Sequence, residues 1–158
     1  MDEAGIATFE TTLGACGLAW SADGLVAIRL PGSSAAGTID RLRQRHPGLE
    51  PVSPPAWVGE AIVAIVAHLD GGRVDMSDIP LDFSGVAPFE ASVYREARKV
   101  PAGKTLTYGE LADRLGDRNL ARAVGQALGR NPWPVIVPCH RITAADRLYV
   151  VAPLSHAI

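Results

Sequence analysis

Apolar residues follow two rhythms along this chain. Between residues 6 and 30 they come in short runs broken by glycine-bearing turns: 6–11, 16–20 and 25–30, with breaks at Leu13-Gly14 and at Ser21-Ala22-Asp23-Gly24. Asp-Gly between two apolar runs is a hairpin signal. The stretch therefore predicts a three-stranded β meander. Cys16 falls inside the second strand and reads as core filler, because a lone cysteine is usually a small buried hydrophobe.

The rhythm then becomes helical. Pro31-Gly32-Ser33-Ser34 starts a loop, and residues 38–46 read as a helix whose Arg41, Arg43 and Arg45 make a solvated face. Residues 47–55 form a proline-rich connector. In residues 57–69, Trp57, Ile62, Ile65, Val66 and Leu69 lie near helical spacing, and Gly71-Gly72 stops that helix. His68 reads as a surface or capping residue of it. Residues 79–83 are expected as a closing strand. Ser84-Gly85-Val86-Ala87 marks a boundary, giving expected domains of 1–84 and 85–158.

In the second half, Pro88 suits the first turn of a helix running to about residue 100, with Val93, Ala97 and Val100 on one side. Pro101-Ala102-Gly103 breaks it. Thr107-Tyr108-Gly109-Glu110 is a capping box that opens a short helix over 108–115. Gly116-Asp117-Arg118-Asn119 makes a turn, and Asn119 is expected to cap a second helix over 120–130. Leu120, Val124, Ala127 and Leu128 would face inward, and Arg122, Gln126 and Arg130 outward. Two short helices across a tight glycine turn read as a helix-turn-helix. The second helix is rich in small residues (Ala121, Ala123, Gly125, Ala127, Gly129), which lets its backbone approach a narrow surface. Arg122 on such a helix can enter a base stack. The plain alternative is a packed helix with solvated arginines.

The chemistry concentrates in Asn131-Pro132-Trp133-Pro134-Val135-Ile136-Val137-Pro138-Cys139-His140-Arg141-Ile142. The apolar run 135–137 reads as a short buried strand. Pro138 ends it, having no N–H for a ladder. Cys139 is then expected at the rim of a pocket. Its thiolate would be the nucleophile, with His140 and Arg141 as candidates to favour that form. In an extended segment neighbouring side chains point to opposite faces, so a relay from Cys139 to His140 through water is preferred to direct contact. The alternative is an inert buried thiol.

Charge sharpens this division. Residues 1–85 carry five Lys+Arg and eleven Asp+Glu, a net of −6, while residues 86–158 carry ten and six, a net of +4. A nucleic-acid partner is expected on the second half. Two distant cysteines make no disulfide framework, and four scattered histidines make no zinc site. No signal peptide or membrane-length apolar run is read, so a cytoplasmic protein without a membrane partner is expected.

Asn-Pro-x-Pro-Val-Ile-Val-Pro-Cys-His-Arg-Ile, with Arg122-Ala123-Val124-Gly125, Thr107-Tyr108-Gly109-Glu110 and Pro101-x-Gly103, resembles the O6-alkylguanine-DNA alkyltransferases (methylated-DNA–protein-cysteine methyltransferases). The resemblance implies an α+β protein. Its N-terminal half would be a ribonuclease-H-like α/β scaffold, followed by a mainly helical, winged-helix-like DNA-binding domain. It implies a monomer acting on double-stranded DNA containing O6-alkylguanine, with O4-alkylthymine as a further substrate, and no cofactor or metal. Cys139 would accept the alkyl group, with His140 and Tyr108 also catalytic. Tyr108, Arg122, Ala123, Gly125 and Gln126 would bind DNA, Arg122 replacing the extruded nucleotide. Asn131, Pro138 and Arg141 would support the site. After Ile142 the family continues with a glycine-rich loop, a lysine and a glutamate that orients the histidine, whereas residues 143–158 contain no glycine, lysine or glutamate. A changed reading frame near Asp146 is one hypothesis for this; coding DNA lacking the loop in every frame would reject it. Two competing readings remain: a non-catalytic lesion-binding or regulatory protein, and a Cys-His hydrolase unrelated to DNA.

Overall fold

The computed structural model describes residues 4–32 and 34–144, in a mixed α+β fold that divides after Ser84 into two compact units. Residue 146 and the divergent tail at 147–158 lie outside the described residues.

The first unit is built on the expected meander. Strands β1 (Gly5–Thr11), β2 (Gly14–Ser21) and β3 (Gly24–Arg29) form one antiparallel sheet in that order. The second hairpin closes at the Ser21↔Gly24 pair, where Gly24 has φ +148°, a backbone state that side chains resist. A bulge at Val26 separates the Ala19↔Ala27 and Trp20↔Leu25 pairs. The sheet buries Ile6, Cys16, Leu18, Trp20 and Leu25 completely. Cys16 is core, as read from the sequence. Burial pushes its thiol pKa up, and Thr11 Oγ1 lies 3.7 Å from its sulfur.

Helix α1 (Ala35–Arg45) starts three residues earlier than the apolar pattern suggested, because Ser34 caps it: its Oγ accepts from Gly37 N at 3.0 Å. The helix packs on β2 through Thr38 and Leu42. A side chain at Gly17 would stand 2.6 Å from Thr38 Cγ2 and 2.9 Å from Leu42 Cδ1, so that glycine permits the contact. Helix α2 (Ala56–Leu69) buries Val58, Ala61 and Ile65. This face is rotated from the one expected, since Trp57 and Val66 are only half-buried.

The closing strand at 79–83 does not form. Leu81 makes one bridge to Leu25, held by Leu25 N donating to Pro80 O and Asp82 N to Leu25 O. Pro80 has no N–H with which to extend a ladder.

The second unit contains α3 (Pro88–Arg98), β4 (Leu106–Thr107), α4 (Tyr108–Arg114), α5 (Ala121–Gly129) and β5 (Ile142–Thr143). Val93, Ala97 and Val100 are buried together, as their spacing predicted. Thr107 caps α4 reciprocally: Glu110 N donates to Thr107 Oγ1 at 3.0 Å, and Thr107 N to Glu110 Oε1 at 2.8 Å. Asn119 is not the cap of the next helix. Asp117 Oδ1 accepts from Asn119 N at 2.9 Å and starts a 3₁₀ turn over Arg118–Leu120, which runs into α5. Asp117 takes this role because the 3₁₀ turn begins at Arg118, one residue before the predicted cap.

Candidate active site

The first anchor of the site is the two-residue parallel ladder of β4 and β5, pairing Leu106 with Ile142 and Thr107 with Thr143. Tyr108 begins α4 immediately after β4. Cys139–Arg141 is a 3₁₀ turn that ends immediately before β5. The ladder is parallel and only two residues long, so Tyr108 leaves one end of it and the Cys-His-Arg turn, thirty-one positions later, enters the other, one short ladder apart.

The apolar run 135–137 is buried but is not a strand. Val137 N donates to Trp133 O at 2.9 Å, closing a tight turn in which Val135 has φ +85°. Prolines at 132, 134 and 138 remove the donors a ladder would need, so the segment folds on itself. Pro138, buried, has φ −77° and ψ 70°, and Cys139 N donates across it to Val137 O at 2.8 Å. That is an inverse γ-turn. It projects Cys139 out of the core, where the thiol is partly exposed.

Asn131 fastens this reversal from both sides. Its Nδ2 donates to Val137 O at 2.8 Å, and its Oδ1 accepts from Trp133 N at 2.8 Å. Val137 O thus receives both the Asn131 side chain and the Cys139 amide. Arg141 is a tie rather than a rim charge: its Nη1 donates to Val100 O at 2.8 Å, just past the end of α3. His140 is half-buried, with Nδ1 shielded from solvent. The 3₁₀ turn replaces the extended geometry expected here. It sets neighbouring side chains about 120° apart, so Cys139 and His140 leave the turn in different directions.

On α5, Val124, Ala127 and Leu128 are buried, while Arg122 and Gln126 are exposed. Ala123 and Gly125 are half-buried between these faces. Arg130 is also exposed, but it is joined to Glu90 of α3 through Nε at 2.8 Å. Gly125 has a local purpose: a Cβ there would lie 3.1 Å from Tyr108 Cε2 and 3.3 Å from Cδ2. The tyrosine ring rests on the bare backbone of α5. Gly125→Ala is expected to leave stability nearly unchanged, the gain of about 1 kcal/mol in helix propensity offsetting the crowding. It should push the Tyr108 ring off α5; thermal melting beside the NMR chemical shifts of that ring checks both.

Tyr94 was missed in the sequence. Its hydroxyl donates to Ala127 O at 2.6 Å, and its ring meets Trp133 edge-on at 5.8 Å. It locks α3 to α5 and to the turn that carries Cys139. A phenol beside the inward-facing Val93 and three residues before Ala97 could have been flagged, since a buried tyrosine hydroxyl needs a partner. Burial, reinforced by Glu90, pushes its pKa up to about 12 from 10.0. The fold therefore favours the neutral phenol. Its contribution is full below about pH 10 and is lost as pH rises toward about 12. Tyr94→Phe should flatten the alkaline limb of a stability–pH curve measured by denaturant melts.

No group of three or more His, Cys, Asp or Glu side chains among the described residues could hold a metal. No helix among them is long and apolar enough to cross a membrane.

Residues 88–151 match the family model described as the 6-O-methylguanine DNA methyltransferase DNA-binding domain. A methylated-DNA–protein-cysteine methyltransferase of Thermococcus sibiricus is 41% identical over 95 residues, covering 60% of this chain; the chain spans only half the length of that relative. A DNA base-flipping protein of Thermus thermophilus is 39% identical over 108 residues, covering 66% of this chain and 72% of the relative. A solved structure of Mycobacterium tuberculosis OGT in complex with DNA is 30% identical and superposes with a TM-score of 0.65, covering 89% of this chain and 78% of that one. With two relatives at 30% identity or more covered over more than two thirds of their length, the chain belongs to the 6-O-methylguanine DNA methyltransferase family.

Proposed function

We propose that this chain repairs DNA by moving the alkyl group of an O6-alkylguanine onto Cys139, once per molecule. The observation that carries the reading is the presentation of a partly exposed thiol by a turn that Asn131 and Pro138 hold rigidly, on the unit that bears the helix-turn-helix. In this reading the first unit is a ribonuclease-H-like scaffold and the second a winged-helix-like reader of double-stranded DNA.

The reaction needs the base outside the duplex, because a stacked guanine cannot offer its O6 substituent to a thiol. Extrusion costs a few kcal/mol, less for a lesion that pairs badly. The small residues Ala123 and Gly125 let α5 lie close to the groove, Gln126 contacts the backbone, and Arg122 fills the vacated position. Tyr108 holds the adjoining phosphate. The Cys139 proton passes to His140 through a bridging water. Sulfur then attacks the alkyl carbon in line, the carbon–O6 bond breaks, and its electron pair stays on guanine. Protonation of that anion, assigned to Tyr108, completes the step. The thioether is stable, so the protein is consumed. No organic cofactor or metal is required.

Incubation with a duplex carrying one O6-methylguanine tests this. The expected result is loss of one lesion per protein molecule, with no further loss when more duplex is added. Duplex binding without lesion loss would favour a lesion-binding protein instead. That second reading is supported by the similarity to a base-flipping protein.

A further inference from the structure

Three arginines of the first unit converge on one face, with no acidic partner among the described residues. Arg29 ends β3 and pairs in register with Gly17. The Cβ direction of Gly17 runs into Thr38 and Leu42 of α1, so this face of the sheet is the one α1 covers. Cross-strand partners point to the same face, and Arg29 therefore emerges beside α1. Arg41 lies three residues beyond Thr38, and Arg45 three beyond Leu42 and four beyond Arg41. All four positions share one stripe of the helix. The Arg41 guanidinium folds over the backbone of Gly32, which a side chain there would prevent.

The electrostatics agree with this placement. Burial lowers the Arg29 pKa, and Arg45 and Arg41 lower it further. Burial also lowers that of His46, as do Arg45 and Arg29. Arg43, between the two, behaves differently: it binds Glu50 at 3.1 Å and reaches Asp40 at 4.0 Å. Among the described residues, no ion pair neutralises Arg29, Arg41 or Arg45. This concentration of positive charge stands in the acidic half of the chain, so it is local and not a consequence of composition.

We propose that Arg29, Arg41 and Arg45 form a second phosphate-backbone contact, by which the N-terminal unit grips nucleic acid separately from α5. The inference rests on the reading that the chain works on duplex DNA. Guanidinium forks match phosphate oxygens, and a phosphodiester relieves the mutual repulsion that the free fold carries. An acidic polypeptide is the competing partner.

The test is fluorescence anisotropy with a long unmodified duplex between about 50 and 200 mM salt. The double variant Arg41→Gln/Arg45→Gln is expected to bind about tenfold more weakly at the low-salt end, with the log–log salt slope reduced by about two. Arg41→Gln alone should show about half that slope change, and Arg43→Gln, already neutralised, should bind as wild type. Wild-type affinity and slope in the double variant, with binding weakened by Arg122→Ala, would overturn the proposal and leave the DNA reading standing. Absence of duplex binding by the wild type would remove that reading itself. Polyglutamate that displaces duplex from the wild type, but not from the double variant, would assign the surface to an acidic protein and also overturn the proposal.

Discussion

Cys139→Ala is expected to abolish alkyl transfer completely while leaving duplex affinity and stability within about 1 kcal/mol of wild type. The hydrogen bonds that form the turn around Cys139 come from backbone groups and from Asn131, so alanine keeps all of them. Cys139 is partly exposed. Only the proposed nucleophile disappears. Gel shift, denaturant melting and a lesion-loss assay on one preparation separate the three quantities. Transfer that persists in this variant would remove Cys139 from its role.

Asn131→Ala has the second largest expected effect, and it falls on both stability and rate. The substitution leaves Trp133 N without its acceptor and removes one donor from Val137 O. A buried polar group left unsatisfied costs about 1–3 kcal/mol. The same turn holds Val135, a β-branched residue, at φ +85°, where a left-handed backbone costs roughly 1–2 kcal/mol. Without the asparagine brace, the Val137 N to Trp133 O bond across the turn has to hold against that strain. A loss of about 2–4 kcal/mol is expected in denaturant unfolding. The transfer rate should fall further than stability alone explains, because the sulfur loses its fixed position. Asn131→Asp is a useful companion, since it keeps an acceptor for Trp133 N and loses the donor to Val137 O. It should lie between alanine and wild type. An alanine variant that melts and reacts like wild type would show that the brace is dispensable.

Features set by local chemistry were legible in the sequence. The meander followed from glycine turns between alternating runs, and the Thr107–Glu110 cap from two residues at fixed spacing. Features set by tertiary partners were not. Residues 135–137 have a strand's composition, yet the surrounding prolines turn the run back on itself and Asn131 captures the reversal. Ser34 was passed over because the apolar pattern begins later than the helix. Residues 79–83 look like a strand, but Pro80 limits them to one bridge. Arg41, Arg43 and Arg45 look alike in sequence, and only the fold distinguishes the one paired with Glu50 from the two left beside Arg29. At the candidate site, Cys139, Asn131 and Tyr108 stood out through their motifs. Tyr94 did not, because its importance lies in a hydrogen bond to a carbonyl thirty-three residues away.

The most direct measurement is tandem mass spectrometry of peptides from protein incubated with a duplex containing a single O6-methylguanine. The expected spectrum shows the peptide bearing Cys139 heavier by one CH₂, with the added mass on that sulfur and Cys16 unchanged. A repaired duplex with the Cys139 peptide unmodified, or with the methyl on another residue, would contradict the assignment of that sulfur as the acceptor.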